Sequence, residues 1–104
     1  MLSRFEKELK TYFNKGWLLE KGIPSVEYFA EKLNLSANYL SDMLKSLTGK
    51  TTKEHIHYQL IDRAKNKLLA TDLSIAEIAY DLGFEYPQYF NRLFKDKVGM
   101  TPTA

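Results

Sequence analysis

With 104 residues, the chain has room for one domain with a modest core and not for two ordinary ones. A hydrophobic fraction of 44% argues against disorder, and the lack of cysteine excludes a disulfide scaffold and any cysteine-based zinc site. The net charge of +2, from 15 basic and 13 acidic residues, favours a polyanionic partner only weakly, so where the charges fall matters more than their sum.

The first fifteen residues are charged throughout, with no apolar stretch of the kind a signal peptide needs. Apolar runs such as Trp17-Leu18-Leu19 are far too short to span a bilayer. No membrane partner is expected, and a soluble cytoplasmic protein is the default reading.

In chain order, the pattern predicts helices and no strand, because no stretch keeps a period of two and Gly and Pro fall at boundaries. A first helix is predicted over residues 3–14, with Leu2, Phe5, Leu9, Tyr12 and Phe13 on one stripe. Gly22-Ile23-Pro24 breaks the chain. Ser25 then caps a helix over residues 26–33, and Ser36 caps another over residues 37–47 that Gly49 ends. Thr51 and Glu54 have the spacing of a capping box that opens a long helix over residues 52–70. Ser74 and Glu77 repeat that spacing for residues 75–82, and Gly83 stops the helix. Pro87 stands in the first turn of a helix over residues 87–97, where its missing N–H costs little. Gly99 ends that helix, and Thr101-Pro102 has the form of a further helix start.

An internal repeat organises these elements. Slid forward by 49 residues, Ser25 meets Ser74, Val26 meets Ile75, Phe29 meets Ile78, Ala30 meets Ala79, Leu33 meets Leu82 and Asn34 meets Gly83. After one inserted residue the offset is 50: Tyr39 meets Tyr89, Leu40 meets Phe90, Leu44 meets Phe94, Lys45 meets Lys95 and Gly49 meets Gly99. The unit, spanning residues 25–49 and 74–99, is a short helix, a tight turn and a longer helix.

Those are the requirements of a helix-turn-helix. Ala30 and Ala79 are small enough for a close helix crossing, and Asn34 and Gly83 accept a left-handed turn. Tyr39, Leu40, Met43, Leu44 and Leu47 are expected to anchor the second helix of the first unit, and Tyr89, Phe90, Leu93 and Phe94 that of the second. The free faces would then carry Ala37, Asn38, Ser41, Asp42 and Lys45, and Tyr86, Gln88, Asn91, Arg92 and Lys95. Asn, Gln, Ser and Arg are side chains that can read base edges. The helix between the units would be ~28 Å long at ~1.5 Å per residue, near the ~34 Å that separates successive major-groove faces.

The segment Ser74-Ile-Ala-Glu-Ile-Ala-Tyr-Asp-Leu-Gly-Phe84, then Tyr89-Phe-Asn-Arg-Leu-Phe-Lys95 and Gly99-Met-Thr-Pro102, closely resembles the signature of AraC/XylS-type transcription regulators. Leu35-Ser-Ala-Asn-Tyr-Leu-Ser-Asp-Met-Leu-Lys45 and Arg63-Ala-Lys-Asn-Lys-Leu-Leu69 resemble the family's first unit and linker more loosely. The resemblance implies an all-α fold of about seven helices, with two helix-turn-helix subdomains joined by a long linker helix. It implies binding to double-stranded promoter DNA, activation of transcription, and contact with RNA polymerase, in a nucleoid-associated protein. The family's base-reading positions correspond to Asn38, Ser41, Asp42 and Lys45, and to Pro87, Gln88, Asn91 and Arg92. Asp42, Glu85 and Pro87 depart from it, since position 42 is usually basic and small polar residues are common at positions 85 and 87. The separate sensor or dimerisation domain of most members has no counterpart in these residues, which is expected of either an excised domain or a stand-alone regulator, and the end at Ala104 favours the excised domain.

Other chemistries find little support. His55 and His57 are two apart and point to different sides of a helix, and there is no HExxH, so no metal site is expected. No nucleophile–base pair and no glycine-rich phosphate loop is present, so neither an enzyme nor a cofactor is expected. The aromatics Phe5, Tyr12, Phe13, Trp17, Phe29, Tyr39, Tyr89 and Phe94 have the spacing of core residues. Lys50, Lys53, Arg63, Lys65 and Lys67 on the linker could face phosphates or simply water. Asp42 is read as an exposed acid or a local partner of Lys45. The competing function is a protein-interaction module derived from a degenerate helix-turn-helix, with Asp42 and Glu85 facing a protein.

Overall fold

The structure, a computed structural model, describes residues 2–102. Among them are seven helices and no strand: α1 (Leu2–Asn14), α2 (Trp17–Lys21), α3 (Val26–Lys32), α4 (Ala37–Thr48), α5 (Thr52–Ala70), α6 (Ile75–Asp81) and α7 (Pro87–Val98). Six of these are the predicted helices, with ends that agree to within one residue. The seventh, α2, was not expected. It is a single short turn between two glycines of positive φ, Gly16 at 73° and Gly22 at 83°, and Leu18 is its one buried residue. The helix expected to open at Thr101-Pro102 would run outside the described residues.

Local chemistry fixes the helix starts. The Ser25 and Ser36 hydroxyls accept the N–H of Tyr28 and of Tyr39, each at 3.1 Å. Both capping boxes form. Thr51 accepts from the Glu54 N–H at 3.2 Å while the Glu54 carboxylate accepts from the Thr51 N–H at 3.0 Å, and Ser74 and Glu77 exchange the same pair of bonds at 3.1 Å each. These bonds hold the Glu54 and Glu77 carboxyls below the usual carboxylate range.

The two turns close in the same way. The Leu35 N–H reaches the Ala30 carbonyl at 2.9 Å and the Phe84 N–H reaches the Ala79 carbonyl at 3.0 Å, while Asn34 and Gly83 bond back to Glu31 and Tyr80. This is the Schellman arrangement, with its left-handed residue supplied by Asn34 at φ 58° and Gly83 at φ 93°.

Packing joins both units to one core. α5 is the shared spine: Ile56, Leu60, Ile61 and Ala64 are buried along it, and it packs on α4, α6 and α7. Ala30 and Ala79 are buried at the helix crossings, as expected from their size. The first unit is filled from outside the repeat, since Phe5 and Tyr12 of α1 pack edge-on against Phe29. The second unit is filled from within, by Phe84, Phe90 and Phe94 at centroid separations of 5.5 and 5.8 Å.

One expectation about the core is corrected. Leu40, Leu44, Phe90 and Phe94 are the deep anchors, and Met43 and Leu93 flank them half-buried, but Tyr39, Leu47 and Tyr89 are 59%, 60% and 51% exposed. Each helical residue turns the side chain by about 100°, so a tyrosine just before a fully buried anchor looks sideways. Leu47 lies near the end of α4, beyond the reach of the core.

Candidate nucleic-acid interface

α4 and α7 expose equivalent faces. On α4, Asn38, Asp42 and Lys45 are exposed, and on α7, Gln88, Asn91, Arg92 and Lys95 are exposed. Tyr86, the residue before α7, is exposed and packs edge-on against Tyr89 at 5.6 Å. Pro87 fills the first helical position and is half-buried. α7 has no side-chain cap, so Tyr86 and Gln88 lie beside uncapped N–H groups at its start.

Ser41 does not share the free face. It is half-buried, and its hydroxyl lies 3.0 Å from that of Thr52, which is fully buried. Position 41 faces α5, whereas its counterpart Asn91 faces solvent. Sequence alone hides this, because the difference lies in how α5 passes the two units.

The exposed faces therefore differ in charge. α4 offers Asp42 and Lys45, which cancel, and α7 offers Arg92 and Lys95. Among the described residues no ion pair joins Asp42 to Lys45. Lys45 instead acts on Glu54 of α5, adding to the lowering of its pKa after the Thr51 hydrogen bonds. Lys97, from the end of α7, acts on the same carboxylate in the same direction.

The linker cations also divide. Arg63 is structural: its Nη2 donates to Asn14 Oδ1 at 2.6 Å, and its guanidinium lies over the Phe13 ring at 5.4 Å. Lys67 pairs with Asp81 of α6 at 3.7 Å. Lys50 lies over the Tyr58 ring at 4.2 Å, and it, Lys53 and Lys65 remain exposed. A shallow groove of about 270 Å³ beside them mixes Lys50, Lys65 and Lys97 with Glu54 and Asp62, a balance that suits no single ionic ligand.

His55 and His57 do face different neighbours. His55 Nε2 lies 2.9 Å from the Thr48 hydroxyl and its ring packs on Phe5, while His57 feels Lys97. Burial, then nearby lysines, holds both rings below the ordinary histidine range. Among the described residues no group of three or more carboxylates and histidines could hold a metal ion, and no helix is long and apolar enough to cross a membrane.

Comparison with known proteins agrees with this geometry. A family model described as a helix-turn-helix domain matches residues 29–104. The HTH-type transcriptional activator RhaR of Enterobacter sp. (strain 638) is 30% identical over 102 residues, 98% of this chain, and the chain spans 34% of that relative's length. The C-terminal domain of AraT, a response regulator from Geobacillus stearothermophilus, superposes with a TM-score of 0.78 at 30% identity, covering 95% of this chain and 80% of that one. The DNA-binding domain of AdpA, a global transcriptional factor solved with a target DNA, superposes with a TM-score of 0.70 at 27% identity over 84% of this chain and 80% of that one. The fold is that of the DNA-binding domains of transcription regulators. The chain belongs to the AraC/XylS-type family of helix-turn-helix transcription regulators.

Proposed function

We propose that this domain binds double-stranded promoter DNA in a sequence-specific way, with α4 and α7 entering successive major grooves, and that it activates transcription. The carrying observation is the pair of equivalent exposed helix faces held on one spine. At ~1.5 Å per residue, α5 is ~28 Å long, compatible with units about one DNA turn apart. Gln88, Asn91 and Arg92 supply base-edge chemistry, with Arg92 suited to guanine and Asn91 or Gln88 to adenine. Lys95, Tyr86 and the first turn of α7 face the backbone. α4 contributes Asn38, Lys45 and Asp42, the last able to accept only from cytosine N4. RNA polymerase is the partner that activation would require, and the setting is the nucleoid.

Selection from a random duplex pool tests this reading. It should return two half-sites about 10 base pairs apart, with more sequence information in the half read by α7. Enrichment of a single half-site, or of none, would count against it. Binding should also weaken steeply as salt rises, because phosphate contacts release counterions.

The protein-interaction reading keeps one observation of its own. Tyr39, Met43 and Leu47 form an i, i+4, i+8 stripe on α4, beside Asp42, with Tyr39 and Leu47 largely exposed. If that face served a protein, Leu47→Ala would leave DNA affinity intact and lower transcription from the promoter.

A further inference from the structure

The two turns of the repeat differ where α2 meets them. Asn34 and Gly83 stand at equivalent places, both left-handed. Asn34 is exposed, and Gly83 is half-buried. A Cβ on Gly83 would lie 2.8 Å from the Leu18 carbonyl oxygen, and 3.2 Å from both the Gly22 carbonyl carbon and the Ile23 nitrogen. These are backbone atoms and cannot swing aside. The positive φ strains a side chain at either turn and favours glycine at Gly83, at φ 93°, but Asn34 carries a side chain at φ 58° in the same motif, so φ alone does not demand it. The backbone of α2, pressed on the second turn, does demand it.

α2 is anchored on the other side by α1, which packs on the first unit. The buried Tyr12 donates its hydroxyl proton to the Gly22 carbonyl at 2.7 Å. Its ring packs edge-on against Trp17, Tyr28 and Phe29 at 5.5, 5.1 and 6.3 Å. Two further ties flank the same junction, Arg63 to Asn14 and Lys67 to Asp81. α2 also precedes both copies of the repeat, residues 25–49 and 74–99, so it is no element of the repeat itself.

We infer that α2 is a brace: held by Tyr12 of α1, which packs into the first unit, and seated on Gly83 of the second, it fixes the angle between α4 and α7 and so sets the half-site spacing the domain accepts. Gly83 and Tyr12 are positioning residues. A domain set in advance to one spacing binds that spacing with a smaller ordering cost. The spacing clause rests on the two-groove reading proposed above, whereas the angle belongs to the free protein and can be measured without DNA.

The chain has no cysteine, so Ser46→Cys and Asp96→Cys, at exposed, repeat-equivalent positions on α4 and α7, can carry a single pair of spin labels. Electron–electron double resonance on the free protein should give one narrow distance. Gly83→Asn, which keeps a residue able to adopt the left-handed turn, should broaden or shift it, and the converse change Asn34→Gly should not. Tyr12→Phe removes only the hydroxyl and should broaden the distance with helix content retained, so the test survives if Gly83→Asn fails to fold. On duplexes whose half-sites are moved by one or two base pairs, the parent should prefer one spacing by about tenfold or more, and the brace variants should lose most of that preference. Folded variants that keep the parent's narrow distance would overturn the brace. A broadened distance with an unchanged spacing profile would uphold the brace and overturn the two-groove reading instead.

Discussion

Position for position, α4 offers Asn38, Asp42 and Lys45 to solvent where α7 offers Gln88, Arg92 and Lys95, and Ser41 is turned in where Asn91 is turned out. The frames beneath them are near copies, with the same serine caps on the first helices, the same turn closure, the same buried alanines and the same left-handed glycine after the second helix. Frame and face have thus diverged separately. The frame is constrained by packing and by backbone hydrogen bonds, which every helix-turn-helix must satisfy. The face is constrained only by what it meets. On the two-groove reading, the neutral face of α4 would fix register and the basic face of α7 would read sequence.

The comparison breaks first at the level of the core. Phe90 is fully buried, and Phe90→Ala should cost ~3–5 kcal/mol of stability. Because α5 joins both units in one cluster, urea unfolding of the variant should remain a single transition, followed by tryptophan fluorescence in the first half and by circular dichroism overall. Two separate transitions would mean that the units are independent domains, and their division of labour would then need no common spine.

At the reading faces the expected difference is sharper. Arg92→Ala should weaken binding to the selected site by ~1–3 kcal/mol and relax specificity at one position. Asp42→Ala, at the equivalent place on α4, should leave affinity unchanged or raise it slightly, since an acid is lost from a surface facing phosphates. Titration of both variants against the same duplex checks this. Equal losses from the two would mean that both helices read the site equally.

The next pair separates stability from recognition at positions 41 and 91. Ser41→Ala removes the hydroxyl partner of the buried Thr52 and should cost about 1 kcal/mol of stability with little change in DNA affinity. Asn91→Ala should do the reverse. Thermal melts and binding isotherms on both give the answer, and a Ser41→Ala variant with normal stability and weakened DNA binding would put position 41 back among the readers.

Much of this fold is legible in the sequence because it is encoded locally. Ser25, Ser36, Thr51 with Glu54, Ser74 with Glu77, Pro87, Gly49 and Gly99 each mark an end through chemistry within a few residues. What escapes is set by contacts distant in the chain. α2 has too few residues for a periodic signal, and its place is fixed by Tyr12 and Gly83. The inward turn of Ser41 depends on Thr52, and the structural use of Arg63 depends on Asn14, far back in α1. Tyr39 and Tyr89 have core spacing, and only the depth of the core decides that they stay outside.

The smallest expected effect reports on each unit through its own histidine. His55 touches Phe5 of α1 and Thr48 of the first unit, with Lys50, Glu6 and Glu54 as its charged neighbours. His57 has Lys97 of the second unit, with Lys53 and Glu54. Burial is the first cause of the lowered pKa in both, so each ring is bound in its neutral form. Below the unfolded value of ~6.5, the unfolded chain takes up protons that the folded one refuses. Stability is therefore full above that pH and declines as pH falls through the depressed folded values. The rings can be followed separately by nuclear magnetic resonance, and the melting temperature should fall on acidification from pH 7 to pH 5. His55→Gln should remove one part of that slope and His57→Gln the other, each independent of the other's presence. If a single substitution abolished the whole pH dependence, the two histidines would be titrating as one site, and the two faces of α5 would be more tightly coupled than their separate neighbours imply.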